Sequence, residues 1–232
     1  IFRESRFSGY DRLDDADQVA LGVTSRLIDQ NEGREILSAS LGRIQYFDDR
    51  RTRLPGVEIE TSRGSAFAAG LRYSPTASQQ LSSDILWDSH DEQIDQFGVN
   101  WHQSRTNTII NLGYSFRRFE DGSGLISSDR IEQVDASVAY LLNERWRLYG
   151  RLNYDIEENR WLENLIGFEY ESCCWRGRVL FQRSLEPGDS ENPNRSESDE
   201  AILFEIQLKG LGGLGSTLNS VLEESIFGYK PR

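Results

Sequence analysis

The chain predicts an all-β fold, an antiparallel transmembrane β-barrel, on three observations. Apolar and polar residues alternate with a period of two along almost its whole length. The alternating segments have the ~9–11 residues that a tilted strand needs to cross a bilayer. The connections between them alternate as well, short on one side and long and polar on the other, as periplasmic turns and extracellular loops do.

Eleven strands are expected in order. The first, near 17–28, sets Val19, Leu21, Val23 and Leu27 against Gln18, Thr24 and Arg26; the second covers about 35–47. The third, near 65–74, alternates Phe67, Ala69, Leu71 and Tyr73 with Ala66, Ala68, Gly70 and Arg72. The fourth (80–88) and fifth (94–104) place Leu81, Ile85, Trp87 and then Phe97, Val99, Trp101 on their apolar faces. The sixth, near 107–118, is the clearest, with Ile110, Leu112, Tyr114 and Phe116 opposite Asn111, Gly113, Ser115 and Arg117.

The seventh (132–142) carries Val134, Ala136, Val138 and Tyr140, and the eighth (145–155) sets Trp146, Leu148, Leu152 and Tyr154 against Arg147, Arg151, Asn153 and Asp155. The ninth (161–172), tenth (174–184) and eleventh (200–210) present Ile166, Phe168, Tyr170, then Trp175, Val179, Phe181, then Ile202, Phe204, Ile206, Leu208. Connections after the odd-numbered strands are tight, the last of them at Cys173, whereas 48–64, 119–130 and 185–199 are long. Tyr73, Trp87, Tyr140, Trp146 and Tyr154 fall near strand ends, where interfacial aromatic girdles sit. The expected organisation is an external loop over 1–14, barrel strands over 15–212 and a periplasmic C-terminal tail over 213–232. In that tail Leu218, Val221 and Leu222 share a helical face, suited to a C-terminal cap, a membrane-surface helix or a helix docked in a lumen.

Composition agrees. Of 232 residues only 37% are apolar while 11% are aromatic, with 20 Gly and 5 Pro, the balance of a β-protein wet on one face. A net charge of −12 argues against nucleic acid, whose binding needs a basic footprint. No run of ~18 apolar residues exists for a transmembrane helix, which leaves barrel strands open. A soluble sandwich would not alternate its connections so steadily, and a propeller would repeat every ~40–45 residues. The chain holds no methionine, so it reads as a processed form or a fragment; an odd strand count, unable to close an up-and-down antiparallel barrel, favours a fragment.

No catalytic constellation emerges, and no enzyme is expected. His90 lies by an external loop and His102 on a lumen face, and neither has a serine motif, metal-ligand spacing or tight carboxylate pair beside it; solvated histidines are the expectation. Acidic clusters at Asp14, Asp15, Asp17 and at Glu197, Asp199, Glu200 read as solvated loop charge, with a divalent cation as the alternative, and no metal or cofactor is expected. Arg26, Arg72, Arg117, Arg147, Arg151 and Arg178 fall on polar faces. Guanidinium groups there suit phosphate or carboxylate recognition, or ion pairing with neighbouring Asp and Glu. Cys173 and Cys174, the only cysteines, stand adjacent at a turn. A vicinal bridge cannot reach the usual Cα separation of ~4.4–6.8 Å. Any bridge therefore reaches outside the chain, in an oxidising compartment such as the periplasm; two reduced thiols are the alternative.

The stretch Arg6-Phe7-Ser8-Gly9-Tyr10-Asp11-Arg12, then Asp17-Gln18, Gly22-Val23-Thr24-Ser25-Arg26, Gly42 through Tyr46-Phe47, the Cys173-Cys174 pair and Leu208-Lys209-Gly210-Leu211 resemble the C-terminal barrel region of the LptD family of lipopolysaccharide-assembly proteins. The resemblance covers essentially the whole chain. It implies a 26-stranded outer-membrane barrel of a Gram-negative bacterium, of which these would be the last eleven strands. It also implies an upstream β-jellyroll domain whose cysteines bond Cys173 and Cys174. The implied partners are lipopolysaccharide, the plug lipoprotein LptE, the periplasmic bridge protein LptA (through that N-terminal domain), the barrel-assembly machinery during folding, and outer-membrane lipids. The terminal strand, with Ile202, Phe204, Ile206 and Leu208, would form one side of a lateral gate. A general porin or a barrel enzyme is the alternative function.

Overall fold

The computed structural model describes residues 17–52, 59–118, 130–186, 197–209 and 217–231. The family-like stretch 6–12, Asp14, Asp15 and Gly210-Leu211 lie outside them. Eleven strands form in the expected order: β1 (Gln18–Ile28), β2 (Glu35–Tyr46), β3 (Phe67–Thr76), β4 (Gln79–Asp88), β5 (Gln93–Arg105), β6 (Thr108–Arg118), β7 (Arg130–Leu141), β8 (Trp146–Asp155), β9 (Arg160–Glu171), β10 (Trp175–Glu186) and β11 (Glu197–Leu208). One helix follows, α1 (Thr217–Ser225). Each strand pairs with its sequence neighbours, in the order β1 through β11, and the sheet does not close on itself. The chain forms two compact units, Ile1–Thr76 with Leu81–Val99 and Ser115–Ile131, and Ala77–Gln80 with Asn100–Tyr114 and Glu132–Arg232.

In the first unit the register sets Val23 beside Leu41 beside Ala69, and Leu27 beside Leu37 beside Tyr73, so one face is apolar across β1, β2 and β3. Directly opposed pairs of this kind are the unit of sheet stabilisation. The β1–β2 turn is fixed by its own chemistry. Asp29 Oδ1 accepts from Asn31 N at 2.8 Å, and Gly33 adopts φ 66°, a conformation glycine reaches without a Cβ clash. Beyond β2 the chain stays ordered around Arg50. Its guanidinium lies 3.5 Å from the Tyr46 ring centroid, pairs with Glu60 at 3.1 Å and donates to Ser62 O at 3.1 Å.

In the second unit the face that carries Leu148, Leu152, Ile166, Phe168, Val179, Phe181, Ile202 and Phe204 is apolar and turned outward. Leu152, Ile166, Phe181 and Ile202 remain 50%, 63%, 50% and 66% exposed, where a water-soluble sheet would cover them. Aromatics bracket this face at both ends. Trp146, Tyr170 and Trp175 form a ladder with centroids 4.9 and 5.3 Å apart, and Tyr154 meets Trp161 at 4.8 Å. From Trp146 to Tyr154 the strand rises about 26 Å, or about 20 Å along a membrane normal at a tilt of ~40°.

The opposite face of this unit holds the core. Ala139, Tyr149, Leu165 and Leu180 on the strands pack against Leu218, Leu222, Ile226 and Tyr229 of α1 and the segment after it. Leu218, Leu222 and Ile226 recur every fourth residue, which aligns them on one helical stripe. Gly167 makes the seat: a Cβ there would sit 2.1 Å from Leu180 Cδ2. Gly228 turns the chain after the helix at φ 81°, and a Cβ there would meet His102 Cε1 at 2.9 Å.

Candidate functional site

Antiparallel register stacks the polar face of β7–β11 into rows. One row reads Arg147, Glu169, Arg178, Glu205 across four strands, alternating in sign. The next reads Ala139, Tyr149, Gly167, Leu180, Leu203 and is apolar; the third reads Ser137, Arg151, Leu165, Gln182, Ala201. The apolar row receives α1, and the charged row on one side and Arg151 on the other clamp it.

Arg178 is at the centre, 1% exposed, with Nε 2.6 Å from Glu169 Oε2 and Nη1 3.3 Å from Glu205 Oε2. It also donates to Asn219 Oδ1 on the helix. Glu169, 2% exposed, further accepts from Tyr149 Oη at 2.9 Å and faces Arg147 Nη1 at 3.7 Å. Tyr149 and Tyr229 hydroxyls stand 3.3 Å apart. Burying such charges costs several kcal/mol per ion, about offset when every partner is in place. On the other flank Arg151 pairs with Asp135 at 3.1 Å and Glu163 at 3.3 Å and donates to Glu224 O at 3.3 Å.

The six arginines therefore have different surroundings. Arg147, Arg151 and Arg178 belong to this clamp. Arg26 and Arg72, in the first unit, flank Ser38 in one cross-strand row, and Arg26 pairs with Glu35 at 3.5 Å. Arg117 donates to Gln96 Oε1 at 3.4 Å. His102 departs from the expectation of a solvated histidine. Its Nδ1 is 2.6 Å from Asn111 Oδ1, and its ring meets Phe227 edge-on at 5.0 Å. Asn111 Nδ2 in turn donates to Ser137 Oγ at 2.9 Å and to Phe227 O at 3.1 Å. The histidine thus anchors the C-terminal segment, because a half-buried ring needs both a hydrogen-bond partner and apolar contact. Glu200 pairs with Arg183 at 3.6 Å. Among the described residues no three His, Cys, Asp or Glu side chains are placed to hold a metal ion.

Cys173 and Cys174 occupy the β9–β10 turn, which Ser172 N closes by donating to Trp175 O at 2.8 Å. Both thiols are exposed and free, with sulfurs 2.8 Å apart against ~2.0 Å for a bond. The hydrogen bond from Cys174, then that from Ser172, draws the Cys173 thiol below the usual range; Cys173 in turn pushes the Cys174 thiol up. Lys209 N donates to Cys174 O at 2.9 Å, tying the turn to β11. On β11, Ile202, Phe204, Ile206 and Leu208 lie on the exposed apolar face, while Leu203 and Glu205 face the helix.

Tyr149, Glu169, Glu205, Asn219 and Tyr229 were not visible as candidates from sequence, nor was Arg50. The available signal was Tyr149, a large ring alone on a polar face, in register with Leu180 and Leu203. An apolar row inside a polar face marks a docked element, but reading it requires the register.

The family model described as LptD, LPS transport system D, matches residues 1–172. Proteins named LPS-assembly protein LptD are similar throughout. That of Saccharophagus degradans is 38% identical over 240 residues, covering 100% of this chain and 28% of that protein. Those of Nitrosococcus oceani and Pseudomonas aeruginosa are 34% and 35% identical over 230 and 264 residues, covering 99% and 100% of the chain and 29% and 28% of theirs. The chain thus spans less than a third of the length of the curated relatives it matches. Among solved structures, the NanC porin is 15% identical with a TM-score of 0.34 over 83% of this chain and 93% of its own. A Rhodopseudomonas blastica porin is 7% identical with a TM-score of 0.39 over 84% and 81%.

Proposed function

Because the chain belongs to the LptD family, LPS transport system D, we propose that it supplies the last strands of an outer-membrane barrel that inserts lipopolysaccharide into the outer leaflet. It works without catalysis. The observation that carries this reading is the outward apolar face of β7–β11, bracketed by Trp146, Tyr170 and Trp175 at one end and Tyr154 and Trp161 at the other. An apolar band flanked by two aromatic girdles is the pattern of an outer-membrane barrel wall, and the span of about 20 Å here approaches the ~25 Å such a wall presents. The strands from Gln18 to Leu208 are its membrane-spanning part and the described residues 217–231 belong to a tail on the periplasmic side, while the external loop expected over 1–14 lies outside the described residues.

Arg26, Arg72 and Arg117 are the arginines suited to contact substrate phosphates or the plug lipoprotein LptE, since Arg151 and Arg178 hold the helix. Cys173 and Cys174, exposed at a turn, bridge to cysteines upstream and tether the domain that meets LptA. β11 forms one side of a seam that parts laterally, with Ile202, Phe204, Ile206 and Leu208 toward the acyl chains.

Cysteine pairs engineered between β11 and the first strand of the full-length barrel test it. Oxidation should stop surface display of lipopolysaccharide in cells depleted of the native copy, and reduction should restore it. Continued export with the seam locked overturns lateral opening. Steady ion conductance of the purified protein in planar bilayers would mark a porin instead.

A further inference from the structure

Beside the clamp lies a cavity of ≈ 180 Å³ that the helix does not fill. It is bounded by the β5–β6 turn, the start of β8 and the segment after α1, all in the second unit. Its walls are held in place: Leu141 N donates to Asn107 O at 2.7 Å, and Tyr229 N donates to Ile226 O at 3.0 Å. Arg105, Arg147 and Lys230 line it with the donors of Thr106, Asn107 and Thr108, and no Asp or Glu is among the lining residues. In a chain of net charge −12 such a cation cluster is unexpected.

Arg147 is only 8% exposed, and its contact to Glu169 is long at 3.7 Å against ~2.7–2.9 Å for a charge-assisted hydrogen bond. Among the described residues no carboxylate pairs with Arg105 or Lys230. Tyr149 also hydrogen-bonds Arg147, and a partly desolvated guanidinium attracts an anion far more strongly than a solvated one. Three cations together with hydroxyl and amide donors suit a tetrahedral oxyanion of charge near −2 better than a single carboxylate. Water's share of liquid volume is ~30 Å³, so the space admits one or two phosphoryl groups.

The geometry points to a phosphate-binding site formed by Arg105, Arg147 and Lys230, which takes phosphoryl groups either free in solution or carried on a glycolipid headgroup. The site stands on its own cavity and does not require that lipid be transported.

The test is isothermal titration of the full-length protein in detergent, at low salt, with inorganic phosphate, with pyrophosphate, and with a bis-phosphorylated glycolipid beside its dephosphorylated counterpart. R105Q/K230Q changes two exposed side chains and should leave the fold intact. It should weaken pyrophosphate at least tenfold, whereas R63Q, a surface arginine in the first unit, should not. Affinity should also fall steeply as salt rises. Binding of the phosphorylated glycolipid, and not of its counterpart, identifies the headgroup as the source; binding of pyrophosphate without glycolipid identifies a free anion. Absence of binding by every phosphorylated probe, or equal binding by R105Q/K230Q and the parent, overturns the site. No step of this measurement reads export, so failure of the translocation reading would leave its result interpretable.

Discussion

At the residue scale the decisive side chain is Glu169, buried between two arginines and a tyrosine hydroxyl. A buried charge network is no stronger than its least compensated member. Removing one partner strands the others, at a cost of about 3–5 kcal/mol. E169A should therefore lower the unfolding free energy by that order, read as a lower urea midpoint, and E169Q, which keeps one acceptor, by less; an unchanged midpoint for E169A would show that Arg178 is compensated elsewhere. The cysteine pair makes a second prediction. The Cys173 thiol lies below the ordinary range because Cys174 and then Ser172 hydrogen-bond it, and that of Cys174 lies above. The thiolate is the reacting form, so in reduced protein Cys173 should be alkylated first at neutral pH. The difference should close as pH rises past both values. Mass spectrometry of each residue over a pH series reads this, and equal rates throughout would refute it. The cysteines and arginines were legible in the sequence because their chemistry is unusual wherever they sit. Glu169 was not, since one glutamate among 38 acidic residues acquires its role only from register.

At the element scale every strand was legible, and the differences are at ends. β11 begins at Glu197, three residues before the expected 200, because Glu197, Ser198 and Asp199 pair in register with Glu186, Leu185 and Ser184. Alternation cannot report a strand end whose residues are all polar. For α1 the stripe of Leu218, Val221 and Leu222 was legible while its destination was not, since a cap, a membrane surface and a sheet face all want the same stripe. The sheet face receives it, and Leu222, fully buried, is the contact to remove. L222A should cost about 2–5 kcal/mol of docking free energy. L222D should release the segment outright. Limited proteolysis in detergent would then clip after β11 in L222D and only slowly in the parent, and a tail equally resistant in both would show that Arg178–Asn219 and Arg151–Glu224 hold it unaided.

At the scale of the whole molecule, the sheet has two edges. With each strand antiparallel to the next and eleven in the row, β1 and β11 share one sense, so pairing them directly would join parallel strands in an otherwise antiparallel sheet. In a bilayer an open edge is not tolerated, because each unpaired backbone group in hydrocarbon costs several kcal/mol. Closure therefore needs strands of opposite sense on both sides, and in the relatives more than two thirds of the length lies beyond the part matched here. Amide exchange separates the two situations. In the 232-residue chain refolded in detergent, the amides of β1 and β11 that do not point at β2 and β10 should exchange as fast as those in open loops. In the full-length protein the same amides of β1 should be protected by orders of magnitude, as in any closed ladder. Those of β11 should be protected less if it borders the proposed lateral seam, which has to be weakly paired in order to part. Equal, strong protection along β11 and β1 in the full-length protein would leave no weak seam, and lateral opening would have to be sought between another pair of strands.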